Sequence, residues 1–180
     1  MAAVTPESIT FLQTGWVTVR CAMLSVRLVQ MIEDHAEELT RGLIKTLKAN
    51  SRTPHYHNLT YEELHYRTYS VYRNLGQWLS HKSEEPIEAS YSDLAKRRFA
   101  EGVPLNEVVF ALISTKNHLH DYVRSVGLMD SAVELHQERE LQRLVGNFFD
   151  KAIYYTVRTY EREAGFPHAK AATAPAGHGR

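Results

Sequence analysis

Apolar residues recur every three or four positions along most of the chain, and this spacing predicts helices rather than strands. The clearest run begins near Met23, where the spacing places apolar side chains on one stripe of a long amphipathic helix. No alternating pattern of strand type follows residue 22. The stripe consists of Leu24, Leu28, Ile32, Ala36, Leu39, Leu43 and Leu47.

Residues 50–59 interrupt the pattern with turn-forming and helix-breaking residues, and therefore predict a connector. Thr60 and Glu63 then have the spacing of a capping box, which predicts the start of a second helix that runs to about Ser80. Thr68 interrupts its inner face. The apolar members of that face are Leu64, Val71, Leu75, Trp78 and Leu79.

A third helix is predicted to begin near Pro86, because proline is tolerated in a first helical turn, and to end before Gly102. Pro104 is expected at the first position of a fourth helix, which Gly127 ends. The stripe of the third helix is Ile87, Tyr91, Leu94, Ala95 and Phe99. The buried face of the fourth is Leu105, Val108, Val109, Leu112, Thr115, Leu119 and Val123.

A fifth and longest helix is predicted to start at a cap provided by Asp130 or Ser131 and to stop at Gly165 and Pro167. Its core-facing residues are expected to be Val133, Leu141, Leu144, Val145, Phe148, Phe149, Ala152, Ile153, Val157 and Tyr160.

These patterns divide the chain into three parts. Residues 1–22 are expected to be a loose extension, since Thr14–Arg20 is rich in β-branched residues and lacks a helical period; Met23 is then a hypothetical biological start. Residues 23–165 form one all-α domain of about five helices. Residues 166–180, rich in Ala and Gly, are expected to be a disordered tail.

The charge balance narrows the classes of partner. Lys+Arg and Asp+Glu both number 21, giving a formal net charge of +0, which argues against nucleic acid and against an anionic membrane surface. Arg20 and Arg27 interrupt the apolar stretch at 16–32, so no membrane span is predicted. The single cysteine, Cys21, cannot form a disulfide within the chain and fits a reducing cytoplasm.

No catalytic motif is present: the sequence contains no Gly-x-Ser-x-Gly, Ser-x-x-Lys, kinase signature or glycine-rich phosphate loop. The chain is therefore expected not to be an enzyme. The acidic surroundings of His35 resemble those of a phosphoacceptor histidine, but the Thr or Pro that usually follows in sensor kinases is missing, and a charged outer helix face explains these residues.

Ten histidines raise the alternative of a metal or haem sensor. His55 and His57 form a loop pair, and a solvated loop is the preferred interpretation. Glu62 and His65 have the spacing of a di-iron Glu-x-x-His, but no second copy exists. For haem, a helical histidine must face an apolar cavity. The candidates are His65, His118 and His120.

Aromatic residues crowd the second and fifth predicted helices in numbers too large for one stripe. Most are expected to pack the core and its rim, while some are expected to serve a dimer or partner surface. The set comprises Tyr61, Tyr66, Tyr69, Tyr72, Trp78, Phe148, Phe149, Tyr154, Tyr155 and Tyr160.

The segment 94–112, LAKRRFAEGVPLNEVVFAL, carries a basic helix end, an Ala-Glu-Gly turn and a Val-Pro-Leu-x-Glu-Val entry into the next helix. It resembles the N-terminal domain of the RsbR- and RsbRD-type co-antagonists, the bacterial stressosome sensors, and the resemblance covers about residues 23–163. The positions that carry it are Arg97, Arg98, Glu101, Gly102, Pro104, Leu105 and Val108.

The resemblance implies a globin-like, usually haem-free helical domain that dimerises and serves as a sensory input. In that family the domain precedes a STAS domain, which engages the signalling partners. This sequence is expected to lack a STAS domain, because it ends before one could begin. The expected function is therefore that of a non-catalytic, cytoplasmic, bacterial sensor domain with no bound cofactor, which acts as a homodimer or through a protein signalling partner.

Overall fold

The regular elements are helices throughout residues 26–81, 83–126 and 132–166, which are the residues that the computed structural model describes. The predicted all-α class is confirmed for this part of the chain. The elements are α1 (26–34), α2 (Ala36–Ala49), a 3-10 helix (Pro54–His57), α3 (Tyr61–Arg73), α4 (Leu75–Ser80), α5 (Glu85–Ala100), α6 (Leu105–Val126) and α7 (Ala132–Glu163).

Some sequence-based expectations fall outside the described residues. They concern the extension at 1–22, the helix start at Met23 and Leu24, and the thiol of Cys21. They also concern the residues expected to separate the last two helices, the side chain of Val133, the stop at Pro167 and the tail. The separating residues are Gly127, Asp130 and Ser131.

Two helices organise the packing. The long α7 contacts α4, α5 and α6, and α2 lies against α3, α6 and the 3-10 helix. The predicted apolar stripes meet in one core, because Ile32, Leu43, Leu119 and Phe149 are among its fully buried side chains. Burying each such side chain contributes about 1.5–3 kcal/mol relative to leaving it in water.

The prediction of one long first helix from Met23 is wrong in one respect. In the described part, the helix is interrupted at His35, where α1 ends and α2 follows. The backbone at His35 has φ −101° and ψ 14°, and its ring Nδ1 lies 2.8 Å from the Met31 carbonyl oxygen. The apolar stripe nevertheless continues across the break, since Ile32, Ala36 and Leu39 are all buried.

The single second helix predicted up to Ser80 is likewise divided, at Asn74, into α3 and α4. The Asn74 side-chain amide donates to the Ser70 carbonyl at 2.9 Å, a local bond of the kind that competes with helix continuation. A residue of α1 stabilises the first turn of α4: the Gly76 amide donates to a Glu33 carboxylate oxygen at 2.8 Å.

The predicted capping box is confirmed: the Glu63 amide donates to Thr60 Oγ1 at 3.3 Å, and the Thr60 amide donates to the Glu63 carboxylate at 3.0 Å. Pro86 lies in the first turn of α5, as expected. Pro104 is displaced by one position from the prediction, because α6 begins at Leu105 and the Pro104 carbonyl accepts the first bonds of that helix.

Gly102 ends α5 in the left-handed region, at φ +72°. The Val103 amide donates to the Arg98 carbonyl and the Gly102 amide to the Phe99 carbonyl, each at 3.0 Å, which is the Schellman pattern. The predicted stop at Gly165 is matched by a φ of +78° just after α7.

At the end of α5, the burial of two neighbouring side chains is the reverse of the prediction. Phe99, predicted on the buried stripe, is 39% exposed, whereas its neighbour Arg98 is 4% exposed. No helix among the described residues has the length and apolar character needed to cross a membrane.

Candidate functional site

The turn between α5 and α6, which contains the motif residues, is built around the buried guanidinium of Arg98. Its Nη1 donates to the Glu101 carboxylate at 2.5 Å, and its charge lies 5.7 Å from the ring centre of Tyr56 in the 3-10 helix. Burial raises the pKa of the Tyr56 hydroxyl to about 12. Arg98 therefore joins the motif turn to a segment from which it is separated in sequence by three helices, α3, α4 and α5.

A second buried ionisable group, Glu107, fixes the same segment from the first turn of α6. Its two carboxylate oxygens lie 2.9 Å from the backbone nitrogen of His55, which donates, and 2.6 Å from the His55 ring Nδ1. The Glu107 side chain is 4% exposed, whereas that of His55 is 46% exposed. The motif turn thus holds the 3-10 helix through two independent polar contacts.

The other motif positions support this turn. Val108 is fully buried, Leu105 packs against the core, and Gly102 and Pro104 set the path of the backbone. Arg97 instead faces outward and pairs with Asp93 one turn earlier at 2.6 Å.

A cavity of about 300 Å³ lies beside the motif turn, with most of its wall from α3, α5 and α6 and single residues from α2, the 3-10 helix, α4 and α7. This volume is at the lower end of the range typical of small-molecule sites. Its lining includes the exposed residues Tyr66 and Arg97 and the buried residues Tyr91, Thr115 and Phe149. The cavity therefore extends from the surface into the core.

Three residues of the cavity lining carry a buried nitrogen that has no hydrogen-bond partner in the structure. The atoms are Arg67 Nη2, Trp78 Nε1 and Arg98 Nε. Asp93 is the nearest carboxylate to the Arg67 atom, but at 3.8 Å it is beyond hydrogen-bond distance. Buried polar groups are nearly always hydrogen-bonded, so three unsatisfied donors around one cavity are an unusual concentration.

The balance of charge in the lining is positive, with three arginines against two carboxylates, those of Glu63 and Asp93. Glu63 is already engaged in the capping box, and its contacts with Thr60 lower the pKa of its carboxyl. Most of the remaining wall is aliphatic or aromatic. The cavity thus combines an apolar interior with donors and cations.

The histidines considered for haem lie elsewhere, and none of His65, His118 and His120 lines the cavity. The His65 Nε2 lies 2.7 Å from the Glu37 carboxylate, and its ring is 5.4 Å from that of Tyr69. The His118 ring packs so closely on α2 that a Cβ at Gly42 would meet it at 3.2 Å. Burial, together with nearby cations, lowers the pKa of His120, whose Nε2 has no hydrogen-bond partner.

The loop pair His55 and His57 does not share a ligand. His55 contacts Glu107, while the His57 Nε2 lies 3.0 Å from the Asn50 carbonyl oxygen. Glu62 is exposed and His65 pairs with Glu37 instead, so the Glu-x-x-His spacing does not bring these two together. Within the described residues, no group of three or more His, Cys, Asp or Glu side chains is placed to hold a metal ion.

The aromatic residues divide as the sequence suggests, between core and surface. Tyr72 and Phe149 are completely buried, and the Tyr72 hydroxyl donates to the Thr115 carbonyl at 3.3 Å. Tyr66 and Tyr154 are 77% and 58% exposed. These two exposed rings lie on different helices, α3 and α7.

Sequence reasoning missed the inward roles of Glu107 and Arg67, and it placed Trp78 on the inner face of the second helix without indicating that it lines a cavity. Glu107 belongs to the quoted motif, and its fixed spacing from Pro104 was the signal that could have identified it. Arg67 and Trp78 lack such a signal, because the cavity arises from the way separate helices pack.

Comparisons with models of known protein families, with curated proteins and with solved structures give no match to this chain.

Proposed function

We propose that this protein is a non-catalytic helical sensor domain that binds a small molecule in the cavity between α3, α5 and α6. The observation that carries the proposal is that the cavity shares Arg97 and Arg98 with the motif turn. A ligand there would touch the residues that join α5 to α6 and to the 3-10 helix. Its binding would therefore alter the contacts of that turn.

The resemblance to RsbR-type input domains supports the same assignment. It adds a globin-like arrangement, a cytoplasmic bacterial setting, a role in stress signalling, and output through a homodimer or a protein partner. The exposed rings of Tyr66 and Tyr154 are of the type enriched at protein interfaces.

A thermal-shift screen against a chemically diverse set of metabolites tests ligand binding. Compounds that occupy the cavity should raise the melting temperature, because they bind only the folded state. Ala111, a buried residue of the cavity lining, provides the test variant: Ala111→Leu should reduce the space and abolish the shifts. Ala100→Leu, at an exposed position outside the lining, is the matched control and should keep them.

A screen without hits, or hits that survive equally in both variants, would contradict the proposed site. The oligomeric part is tested separately by light scattering, which should give twice the chain mass of 20.6 kDa. A monomeric mass over a wide concentration range would remove the homodimer from the proposal.

A further inference from the structure

We infer that the ligand of this cavity is a small monocarboxylate with an apolar aromatic or aliphatic body. This inference rests on the proposed function, namely that the cavity binds a small molecule, and it adds the chemical class. It follows from the kind of atoms left unpaired, from their charge and from the walls around them.

The unpaired atoms are all donors. Arg67 Nη2, Trp78 Nε1 and Arg98 Nε each carry an N–H group and cannot accept a hydrogen bond. A ligand that supplies acceptor oxygens would satisfy them, whereas a ligand that only donates would leave them unsatisfied. This asymmetry excludes amines and cations as the preferred class.

The positive charge of the two arginines favours one kind of acceptor group on the ligand. Arg98 is buried, its one carboxylate partner, Glu101, contacts it through Nη1, and the buried Nε on the other edge of the guanidinium has no hydrogen-bond partner. Arg67 lies 3.8 Å from a carboxylate of Asp93 that Arg97 already holds at 2.6 Å. Two guanidiniums with free donor capacity favour a carboxylate, which they bind through planar, charge-assisted hydrogen bonds.

The residues of the cavity wall indicate the character of the rest of the ligand. Leu64, Val71, Leu94, Leu112 and Phe149 give the cavity an apolar wall, which offers no partner to a second charged group placed against it. A free phosphate or a dicarboxylate fits this interior less well than a single carboxylate on an apolar body. With about 300 Å³ available, that body is of the size of one aromatic ring or a medium-length alkyl chain.

The protein contains a suitable reporter. Trp78 lines the cavity, and Trp16 is the other tryptophan of the chain, so Trp16→Phe leaves Trp78 as the single indole. The full-length variant is titrated with phenylacetate and octanoate, with the neutral comparators phenylethanol and octanol, and with inorganic phosphate. Calorimetry on the unmodified chain provides an independent reading of the same dissociation constants.

The carboxylates should change the Trp78 emission and bind at least about tenfold more tightly than the alcohols. Arg67→Met should weaken carboxylate binding by a similar factor and leave alcohol binding unchanged. Arg162→Met, an exposed arginine near the end of α7, is the matched control and should change neither. Because Arg98 is buried and Arg98→Met can unfold the chain, Trp78→Phe, read by calorimetry, provides the second donor deletion.

The other outcomes separate the two proposals. Equal binding of alcohols and carboxylates would overturn the carboxylate assignment while leaving the cavity as a binding site. Phosphate binding as tightly as octanoate would overturn the apolar body. If the metabolite screen gave only neutral or cationic hits and no carboxylate, that result would also overturn the carboxylate assignment. No binding by any compound in either experiment would remove the proposed function together with this inference.

Discussion

At the scale of single residues, the turn between α5 and α6 depends on two side chains whose burial is compensated by specific partners. Arg98 contacts Glu101 and Tyr56, and Glu107 contacts the backbone nitrogen and the ring Nδ1 of His55. Removing one member of such a set leaves the other without its hydrogen bond, and that loss costs more than the intact contact contributes.

Glu107→Ala should lower the free energy of unfolding by about 2 kcal/mol, because the His55 amide and ring nitrogen both lose their acceptor. Urea denaturation followed by circular dichroism gives the value. Glu161→Ala, at an exposed position in the last turns of α7, is the control and should change stability far less. Equal effects of the two changes would show that the buried carboxylate is not specifically required.

A second prediction at this scale concerns pH. The Tyr155 hydroxyl donates to Glu84 at 2.7 Å and Lys151 pairs with it at 2.9 Å, and these contacts lower the Glu84 pKa below its ordinary 4.5. A carboxyl whose pKa is lower in the folded state stabilises the fold above its unfolded pKa, and this contribution disappears as the pH falls through the folded value.

Tyr155→Phe should therefore raise the Glu84 pKa towards 4.5 and make stability less dependent on pH on the acid side of neutrality. The Glu84 side-chain carbon shift, followed by NMR through an acid titration, measures the change. The Glu140 carboxyl, whose pKa is lowered by Arg143, is the internal control and should titrate as before. A Glu84 titration that is the same in both proteins would mean that the Tyr155 contact does not hold the carboxylate.

At the scale of elements, the end of α5 depends on one backbone conformation. Gly102 has φ +72°, and a Cβ built there meets nothing within 4 Å, so the requirement for glycine is conformational rather than steric. Gly146, in the middle of α7, also has open space around a built Cβ but lies in an ordinary helix.

The two glycines should respond to alanine in opposite directions. Gly102→Ala should destabilise the fold by about 1 kcal/mol, because the left-handed conformation disfavours a Cβ. Gly146→Ala should stabilise it by about 0.5–1 kcal/mol, because alanine loses less backbone entropy in a helix. Thermal unfolding of both variants checks the signs, and a stabilised Gly102→Ala protein would contradict the Schellman turn.

The sequence predicts elements better than it predicts their interruptions. Residue spacing is a local property, so the stripes of α2, α6 and α7 and the capping box at Thr60 were correctly predicted. The break at Asn74 depends on Glu33, which reaches the Gly76 amide from α1. The burial of Arg98 depends on Tyr56 in the same way. The cavity depends on several helices at once, so no local pattern indicates it.

At the scale of the whole molecule, α5 and α7 are the most extensively packed pair among the described helices. Arg158 pairs with Glu88, Thr159 Oγ1 donates to Ser92 Oγ at 3.1 Å, and Phe148 packs on Tyr91 with ring centres 5.8 Å apart. The first residues of the segment 26–34 are the least packed, since Val26 is 65% exposed, whereas Ile32 near the end of the segment is buried.

Native-state hydrogen exchange should reflect this gradient. Amides near Phe149 in α7 should exchange only through global unfolding, whereas those of 26–34 should exchange through local opening at a lower free energy. Mass spectrometry of peptides from the two regions, across a urea series, distinguishes the mechanisms. Equal protection throughout would show that the helices unfold as one cooperative unit.

The two helix interruptions also have a mechanical consequence, because they lie side by side and are linked. Glu33 accepts from the Gly76 amide at 2.8 Å, and the Arg73 guanidinium donates to the Glu33 carbonyl at 3.2 Å. A pull on the segment 26–34 would therefore be transmitted to α4 across the joint. Since α4 carries Trp78, a force applied at one end of the described chain would reach a wall of the cavity.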